Sequence, residues 1–460
     1  MNVHLADLPA DVLLVVVSFL PLPDVFSLTE VSQTFHHLSA DRGFWLAPLQ
    51  NTPHLRCVQT TCTWAIRDLD TAGLKALARR AVKLDANWSL PRPRIVGPVR
   101  KWQIGDRSVL ESNCLFQFPT TTGLFVFHSS RLLKSFNAAT NEYATILDLD
   151  AYVRSASYAI LPDGSVNIGL ALRGGPRFNT SILVFAKLKL SPRKSAVAGT
   201  LLLRQTLTAE SDCEKPFVSA KVVGAVRSRD KTTEVLAYNL STGRSTIVET
   251  DIPINYTVGR YLQFSFREDN LYMLADDGNK ALIYCCPRDM LPYDQYADTG
   301  YSLRFGHPRP IQFETAIWKR RVIVASQMLP DANFVKVHDV LGPPGSTFAT
   351  NFRFWGRADR FPATRALSKE AIVPGVCPGE FTMQTSLSGQ HVVAALLGPG
   401  QSGCSLILVS QYGDGECASH ELELPADRVD APPPNVLSVD DFHGVVWLAA
   451  QGELLAIPYA

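Results

Sequence analysis

The chain has 460 residues, of which 46% are apolar and 19% are charged. This composition is typical of a folded globular protein and excludes general disorder. The 44 Lys and Arg residues balance the 43 Asp and Glu residues, so a net charge of +1 supplies no global field that would hold nucleic acid or anionic lipid. Nine cysteines, an odd number without C-x-x-C spacing, predict reduced thiols rather than a disulfide framework.

The apolar run Val12–Leu20 near the N-terminus is typical of neither a signal peptide nor a membrane span. Asp7 and Asp11 precede the run, whereas a signal peptide needs a basic segment there. Pro21 ends it well short of the ~20 residues that a span requires. We therefore expect a protein of the cytoplasm or nucleus that has no membrane partner.

Residues 5–40 carry two short amphipathic helical patterns separated by Pro21. In the first, apolar residues recur at i, i+3, i+4 and i+7, namely Leu13, Val16, Val17 and Leu20. In the second, helical spacing relates Leu28, Val31, Phe35 and Leu38. A unit of about forty residues buries its own apolar faces poorly. The pattern therefore predicts a helical domain that packs on a partner, within this chain or on another protein.

The N-terminal string resembles the F-box over residues 5–48. The residues that carry the resemblance are Leu8-Pro9, Phe19-Leu20-Pro21, Asp24, Leu28, Val31-Ser32 and Trp45, and Phe35 stands where the family often has Trp. The resemblance implies docking on the Skp adaptor, and through it on a cullin–RING ubiquitin ligase. The residues expected to serve docking, partly inside the domain and partly against the adaptor, are Leu8, Pro9, Leu13, Val16, Leu20, Leu28, Val31, Phe35 and Trp45. The alternative is an ordinary helical hairpin that covers one end of the large domain.

Residues 68–88 predict one more amphipathic helix, which Asp70 or Thr71 would cap. Its apolar stripe is formed by Leu74, Leu77, Ala78, Ala81 and Leu84. The proline-rich tail after Trp88 predicts extended chain. The excess of Lys and Arg over residues 75–107 is read as a solvated helix side and polar linker, or as a basic face for an acidic partner. This order of segments also resembles F-box proteins of filamentous fungi that carry a propeller behind the helix.

Beyond residue 100, short runs of β-favouring residues alternate with Gly- and Asp-containing turns. Val218–Val226 is expected as one such strand. No long amphipathic helix interrupts them, so the region is predicted to be all-β. A closed ring of four-stranded blades would bury about 360 residues of hairpins without open edges, and ~40–50 residues per blade gives about seven blades.

The final blade is expected over Val436–Tyr459, and Val99–Ile104 is expected to be the strand that closes the ring. The predicted fold class is α+β multidomain, with a small N-terminal all-α F-box followed by an all-β propeller. The predicted boundaries are an F-box domain at 1–50, a helical linker at 51–98 and a β-propeller-like recognition domain at 99–460.

Catalytic motifs are absent from the sequence apart from one formal match. Gly398–Gly403 fits G-x-G-x-x-G, but another apolar strand pattern follows it, whereas a phosphate-binding loop must open a helix. We interpret it as a hairpin loop. No P-loop lysine, H-E-x-x-H or G-x-S-x-G motif occurs. We therefore expect a non-catalytic protein without a metal or cofactor.

Segment 352–365 interleaves arginines with aromatic residues, and it lies within Phe334–Pro374, which is expected to be a long loop between blades. Arginine pairs with carboxylate or phosphate, and aromatics anchor interfaces. The candidate target-binding residues are Arg353, Trp355, Arg357 and Arg360. The alternative is that the aromatics belong to a blade core and the arginines to its solvated rim.

These features predict a substrate-recognition subunit of a Skp–cullin–F-box ubiquitin ligase, which binds the adaptor through its F-box and an unknown target protein through its propeller. Nucleic acid is not expected as a partner. One alternative is an adaptor-bound scaffold without a ligase role. Another is a propeller enzyme with a helical appendage, whose carboxylates would have to converge in the central channel.

Overall fold

A computed structural model describes residues 5, 8–51, 66, 68–104, 114–118, 121–175, 180–191, 196–207, 212–229, 232–250, 262–267, 269–276, 280–286, 288–293, 303–304, 309–312, 319–325, 334–340, 349–355, 368–374, 382–386, 391–397, 404–412, 416–429 and 431–460. Its principal helices all precede the first strand. They are α1 (Ala10–Ser18), α2 (Leu22–Val31), α3 (Gln33–Leu38), α4 (Arg42–Asn51) and α5 (Thr71–Trp88).

The helix ends follow local chemistry. Pro9 and Pro21 immediately precede α1 and α2, where the missing N–H of a proline costs no intrahelical bond. The Asp70 carboxylate caps α5 by accepting a hydrogen bond from the backbone N–H of Gly73 at 2.7 Å. The short helices α1–α4 hold together by packing, because helices of six to ten residues are marginal alone.

The strands of the large domain form seven sheets among the described residues. In chain order, the first sheet consists of β2 (Cys114–Gln117), β3 (Leu124–Ser129), β4 (Leu132–Asn137) and β5 (Glu142–Asp148). The second sheet consists of β6 (Tyr152–Ile160), β7 (Val166–Gly174), β8 (Thr180–Leu190) and β9 (Val197–Leu207). The third sheet consists of β10 (Asp212–Val218), β11 (Val222–Arg229), β12 (Thr232–Asn239) and β13 (Ser245–Thr250), with the short β17 (Leu303–Arg304) at its edge.

The fourth sheet consists of β14 (Leu262–Arg267), β15 (Asn270–Asp276), β16 (Lys280–Cys286) and β18 (Arg309–Gln312), and the fifth of β19 (Lys319–Ala325), β20 (Phe334–Val340), β21 (Ala349–Trp355) and β22 (Ser368–Pro374). The sixth sheet consists of β23 (Met383–Thr385), β24 (His391–Leu397), β25 (Cys404–Tyr412) and β26 (Glu416–Leu422). The seventh sheet consists of β27 (Asn435–Asp440), β28 (Val445–Ala450) and β29 (Glu453–Pro458), together with β1 (Arg100–Gln103) from the start of the large domain. Apart from the parallel β13–β17 pair, the named strands pair antiparallel.

The sheets follow one another in a closed ring. The first strand of each sheet contacts the first strand of the next from β6 through β10, β14, β19 and β23 to β27, and β27 contacts β2. The first two sheets share one hydrophobic core, in which the rings of Phe116 and Tyr158 stack with their centroids 4.3 Å apart. This arrangement is a β-propeller, and it confirms the predicted fold class.

The ring is closed by β1, which pairs with β29 from Arg100↔Ala456 to Gln103↔Glu453. The sequence prediction that Val99–Ile104 supplies the closing strand is thereby confirmed. The Trp102 ring stacks on that of Trp447 with the centroids 5.4 Å apart. A strand from the beginning of the chain thus completes the sheet built from its last residues.

Two sequence expectations about the strands were wrong. Val218–Val226 is the end of β10 and the start of β11, because Ser219 makes a tight turn: its hydroxyl accepts a hydrogen bond from the Val222 N–H at 2.9 Å, and its N–H donates to the Val222 carbonyl. A turn of Ser, Ala and Lys carries no Gly or Pro signal.

The expected long loop at Phe334–Pro374 was also wrong, because this stretch contains β20, β21 and β22, which pair antiparallel. Val335 and Val337 alternate with Lys336 and His338, which is the period of a strand. The charged and aromatic residues of β21 obscured that pattern.

Helix α5 belongs to two hydrophobic cores at once. Its first half joins α1–α4 through Leu74, Leu77, Ala78 and Ala81. Its second half enters the core of the last two sheets through Leu84 and Trp88. The Trp88 ring meets the His391 ring edge-on at 4.6 Å. The helix predicted as a linker is therefore a packed part of both domains.

Asn87 ties the end of α5 to the last residues of the chain. Its side-chain amide donates hydrogen bonds to the backbone carbonyls of Arg94 and Tyr459, both at 2.8 Å, and its carbonyl oxygen accepts from the Arg94 N–H at 2.9 Å. The amide is buried, so each bond replaces one that water would otherwise supply.

The turn between β27 and β28 provides a contact from the propeller to the helical domain. Its Phe442 side chain packs against the core of that domain. Asp440 and His443 flank it, with His443 Nδ1 at 2.8 Å from Asp440 Oδ2. Burial raises the pKa of Asp440, but the His443 imidazole and hydrogen bonds from His443 and Gln117 outweigh burial. The pKa therefore lies below the ordinary value, and the turn keeps a buried carboxylate.

We expect Asn87→Asp to lower the free energy of unfolding by at least about 2 kcal/mol, because a carboxylate would face two carbonyl oxygens it cannot bond. Ala86→Asp is the matched control: its site is exposed, and it carries the same charge near the same helix end. Urea unfolding followed by circular dichroism measures both. Equal losses in the two variants would contradict a structural role for the Asn87 amide.

We expect Trp102→Ala to destabilise the ring by about 2 kcal/mol, because it removes a half-buried ring from the closing strand. The control is Arg100→Ala on the same strand, an exposed site where the change should stay within about 0.5 kcal/mol. Thermal unfolding reports the difference, and identical melting temperatures would argue against closure through this strand.

Candidate functional site

Helix α1 presents two apolar faces, and only one of them is covered. Leu13 and Val17 point into the core of the helical domain and are 1% and 0% exposed. Val12, Val15 and Phe19 lie on the other side at i, i+3 and i+7, and Val15 and Phe19 are 58% and 81% exposed. Three large apolar residues therefore lie on one exposed helical face, and a cluster of this kind is typical of interaction surfaces.

A further large apolar side chain is exposed at the end of α2. Val31 is 77% exposed, which is unusual for a β-branched residue that ends a packed helix. We use the term exposed apolar set for Val12, Val15, Phe19 and Val31.

The nine residues predicted to serve docking fall into three groups. The fully buried ones belong to the domain's own core: Leu13, Phe35 and Trp45. The half-buried ones are Leu8, Val16, Leu20 and Leu28. The exposed ones are Pro9 and Val31. The buried group supports the site from within, because side chains without exposed surface do not touch a partner in this conformation.

Trp45 illustrates that supporting role. Its ring lies 4.9 Å from that of Phe26 and 5.2 Å from that of Phe44, measured between centroids, and its Nε1–H donates to the Ser39 carbonyl at 2.8 Å. The ring therefore joins α2, α4 and the loop between α3 and α4. Its one hydrogen-bond donor is paired inside the domain.

Sequence reasoning missed the exposed residues Val12, Val15 and Phe19 as surface candidates. A signal was present: helical periodicity assigns Leu13, Val16, Val17 and Leu20 to one face, so the remaining apolar residues of the run must lie elsewhere. Phe19 belongs to the Phe19-Leu20-Pro21 string of the F-box resemblance, but the string alone does not show that its ring is exposed. The ring is exposed because α4 packs against the opposite side of α1.

The solvent side of α5 is cationic. Lys75, Arg79, Arg80 and Lys83 occupy its exposed and half-exposed positions. Lys75 Nζ lies 5.6 Å from the centroid of the Trp45 ring, and the Arg79 guanidinium lies 6.0 Å from that of Phe26. The cations thus cover the outer side of the two aromatic rings on which α2 and α4 meet.

The target-binding residues stay a prediction, because the structure describes none of their side chains. Arg353 and Trp355 lie on β21, where the description extends to the backbone, and Arg357 and Arg360 lie outside the described residues. Gly398–Gly403 also lies outside them, between β24 and β25, which pair antiparallel from Leu397↔Cys404. The segment after this motif is therefore a strand and not a helix.

Within the described ranges, no group of three or more His, Cys, Asp and Glu side chains is arranged to hold a metal ion. Of the helices described, none combines the length and the apolar character needed to cross a bilayer.

Comparison with protein families identifies the helical domain: residues 5–47 match the family model of the F-box domain. The chain therefore carries an F-box domain. F-box domains bind Skp adaptors in cullin–RING ligases, and F-box proteins are typically non-catalytic subunits of those ligases. The matched residues contain α1–α3 and most of α4, and hence all four residues of the exposed apolar set.

No curated protein matches the chain in sequence. Among solved structures, the chain is similar to the WD40 domain of SCAP from fission yeast, with 12% identity, a TM-score of 0.35 and coverage of 78% of this chain and 98% of that one. The Dos1 propeller gives 9% identity, a TM-score of 0.38 and coverage of 79% and 96%. A prolyl endopeptidase gives 10% identity and a TM-score of 0.39, with 85% of this chain matched to 51% of that one.

The two groups of F-box residues should respond differently to truncation. We expect Phe35→Ala to lower the free energy of unfolding of the helical domain by about 3–5 kcal/mol, because it leaves a cavity in the core. Phe19→Ala is the matched control and should change it by less than about 0.5 kcal/mol. Chemical denaturation followed at 222 nm tests this, and a large loss for Phe19→Ala would mean that its ring is not a surface group.

Proposed function

We propose that this F-box protein is a substrate-recognition subunit of a Skp–cullin–F-box ubiquitin ligase. In this proposal the exposed apolar set binds the Skp adaptor, and the propeller binds a target protein. In this proposal the role of the chain is not catalytic: it brings the target close to a ubiquitin donor carried by the ligase.

The observation that carries the proposal is the uncovered face of α1 inside an F-box domain. Val12, Val15 and Phe19 present apolar surface that the chain does not bury. Burial of apolar surface stabilises a complex by ~25 cal/mol per Å² before the costs of association. A phenylalanine that is 81% exposed on such a surface has the character of an interface anchor.

The packing of α5 supports a role in positioning. Because Leu84 and Trp88 sit in the propeller core while Leu74 and Leu77 sit in the F-box core, the propeller cannot swing freely about the helix. A target held on the propeller would then stay at a defined separation from the adaptor. A defined separation raises the effective concentration of target lysines near the donor without any covalent chemistry by this chain.

Two alternatives lead to different complexes. A scaffold would bind the adaptor without entering an active ligase, and a propeller enzyme with a helical appendage would bind neither adaptor nor cullin. Co-purification of adaptor, cullin and ubiquitin-conjugating activity with the full chain favours the ligase subunit. Adaptor without cullin would favour the scaffold.

We expect Phe19→Asp and Val15→Asp each to weaken adaptor binding at least tenfold, because binding would require a charge to be buried without a partner. The control is Leu201→Asp, which places the same charge on a half-exposed apolar residue of the propeller. Calorimetric titration of the full chain with purified adaptor measures the affinities. Unchanged binding by a folded Phe19→Asp variant would remove α1 from the docking surface.

A further inference from the structure

Strand β9 is the outermost strand of the second sheet, and its outer edge pairs with no other strand of the described residues. It has 11 residues and is the longest of the outermost strands described, so at about 3.4 Å per residue it extends roughly 37 Å. The backbone N–H and C=O groups along such an edge can pair with a further strand. The next sheet shows that an outer edge of this propeller accepts one, because β17 pairs in parallel with β13.

The edge of β9 lacks the charged residues and prolines with which natural sheets protect their edges. Its one charged residue is Arg204, which the turn after β5 already holds: Nη1 pairs with Asp150 Oδ2 at 3.6 Å, and Nη2 donates to the Leu149 carbonyl at 3.4 Å. The other outermost strands are shorter and carry Glu142 and Asp148 in β5, Arg304 in β17, Arg309 and Pro310 in β18, Lys369 and Glu370 in β22, Glu416 and Glu421 in β26, and Arg100 and Lys101 in β1. Of the outer edges that the structure describes, β9 is therefore the least protected.

A β-bulge interrupts the regular alternation of side chains in the middle of β9. Gly199 packs closely against Ile146 of β5, and Arg204 reaches Asp150 just beyond β5, so both residues face the first sheet. Residues five positions apart point to opposite sides of a regular strand. The register with β8 accounts for the difference, because Leu202 is an extra residue without a partner on β8.

The bulge places two exposed leucines on one side of the strand. Leu201 follows Gly199 by two residues and Leu202 precedes Arg204 by two, so both point to the side of the first sheet. They are 50% and 38% exposed, and no other two adjacent large apolar residues are exposed in the described part of the propeller. The middle of an open strand edge thus carries an apolar surface.

We propose that β9 is the interface of a homodimer, in which β9 of a second copy of this chain pairs antiparallel with it across a two-fold axis at Leu202. Leu202 is the central residue of Val197–Leu207, so this axis pairs the two strands over their full length. The axis brings the two copies of Leu202 together and places Leu201 of each copy opposite Leu203 of the other. The inference is independent of the proposed function, whose evidence lies on α1.

The sequence of β9 is complementary to itself about this axis. Like charges directly opposite each other destabilise a strand pair, and here Arg204 of one copy lies opposite Thr200 of the other. The leucines of the two copies cover each other, and apolar cross-strand pairs of this kind stabilise a sheet. A second copy supplies an edge of the same length and the same apolar centre by symmetry. The assembly also stops at two copies, because both use the same edge.

Sedimentation velocity of the full chain measures the association. We expect a species of twice the mass of the chain at micromolar concentrations, and Leu202→Lys should weaken the association at least tenfold, because two lysines would meet at the axis. The control Ile247→Lys makes the same change at an exposed apolar residue of β13 and should have no effect. If Leu202→Lys fails to fold, Leu202→Thr keeps the strand propensity and removes the apolar surface, and the same direction of change is expected.

Disulfide trapping tests the position of the axis. A residue on the axis lies directly opposite its own copy, where the Cβ atoms of an antiparallel pair are about 4.5–5.5 Å apart and a disulfide is within reach. We expect Leu202→Cys to form a covalent dimer on oxidation, resolved on a non-reducing gel. Ile247→Cys is the matched control, and the unaltered chain reports any cross-linking through its nine native cysteines. Both should remain free of covalent dimer.

Three outcomes would overturn the assignment: a chain that stays monomeric at every concentration, equal association of Leu202→Lys and Ile247→Lys, or no more covalent dimer in Leu202→Cys than in its control. Adaptor binding is measured on the same samples, and Leu202→Lys should retain it. A monomeric chain that binds the adaptor contradicts the dimer and leaves the proposed function standing. A dimeric chain that does not bind the adaptor contradicts the proposed function and leaves the dimer standing.

Discussion

The sharing of one helix between two hydrophobic cores is the constraint on which the rest of this molecule depends. The F-box helices are short, and α5 supplies much of the surface they need to stay folded. The propeller needs the same helix, because Leu84 and Trp88 fill part of the core under its last two sheets. Neither domain therefore has a complete core without α5, and the buried amide of Asn87 sets where the helix ends relative to the ring.

This packing fixes which end of the propeller strands faces the helical domain. The exposed side of α1 belongs to the domain that contacts the turn around Phe442, and this turn follows the first strand of the last sheet. The propeller itself is held by antiparallel pairing and by aromatic contacts such as Trp102 on Trp447.

The sequence predicted the parts of the structure in which local pattern and tertiary packing agree. The F-box helices, the Asp70 cap, most of the strands and the closing strand at Val99–Ile104 belong to this group. Prediction failed where a contact distant in sequence decides the outcome. The division of apolar residues on α1 into core and surface depends on α4, and α4, which carries the buried Trp45, packs in turn against α5. The Arg131–Tyr152 contact joins two sheets, so no spacing along the chain reveals it.

The contact between Asn87 and Tyr459 spans 372 residues, and it bears on how the protein folds during synthesis. At about 5–20 residues per second, roughly 20–70 s pass between the emergence of α5 and that of its final partners. During that interval Trp88 lacks the last sheets that bury it, and β1 has no strand to pair with. The nascent chain thus presents apolar surface and an unpaired strand edge until β27–β29 have been synthesised, which makes this architecture a natural client for chaperones that shield such surface on the ribosome.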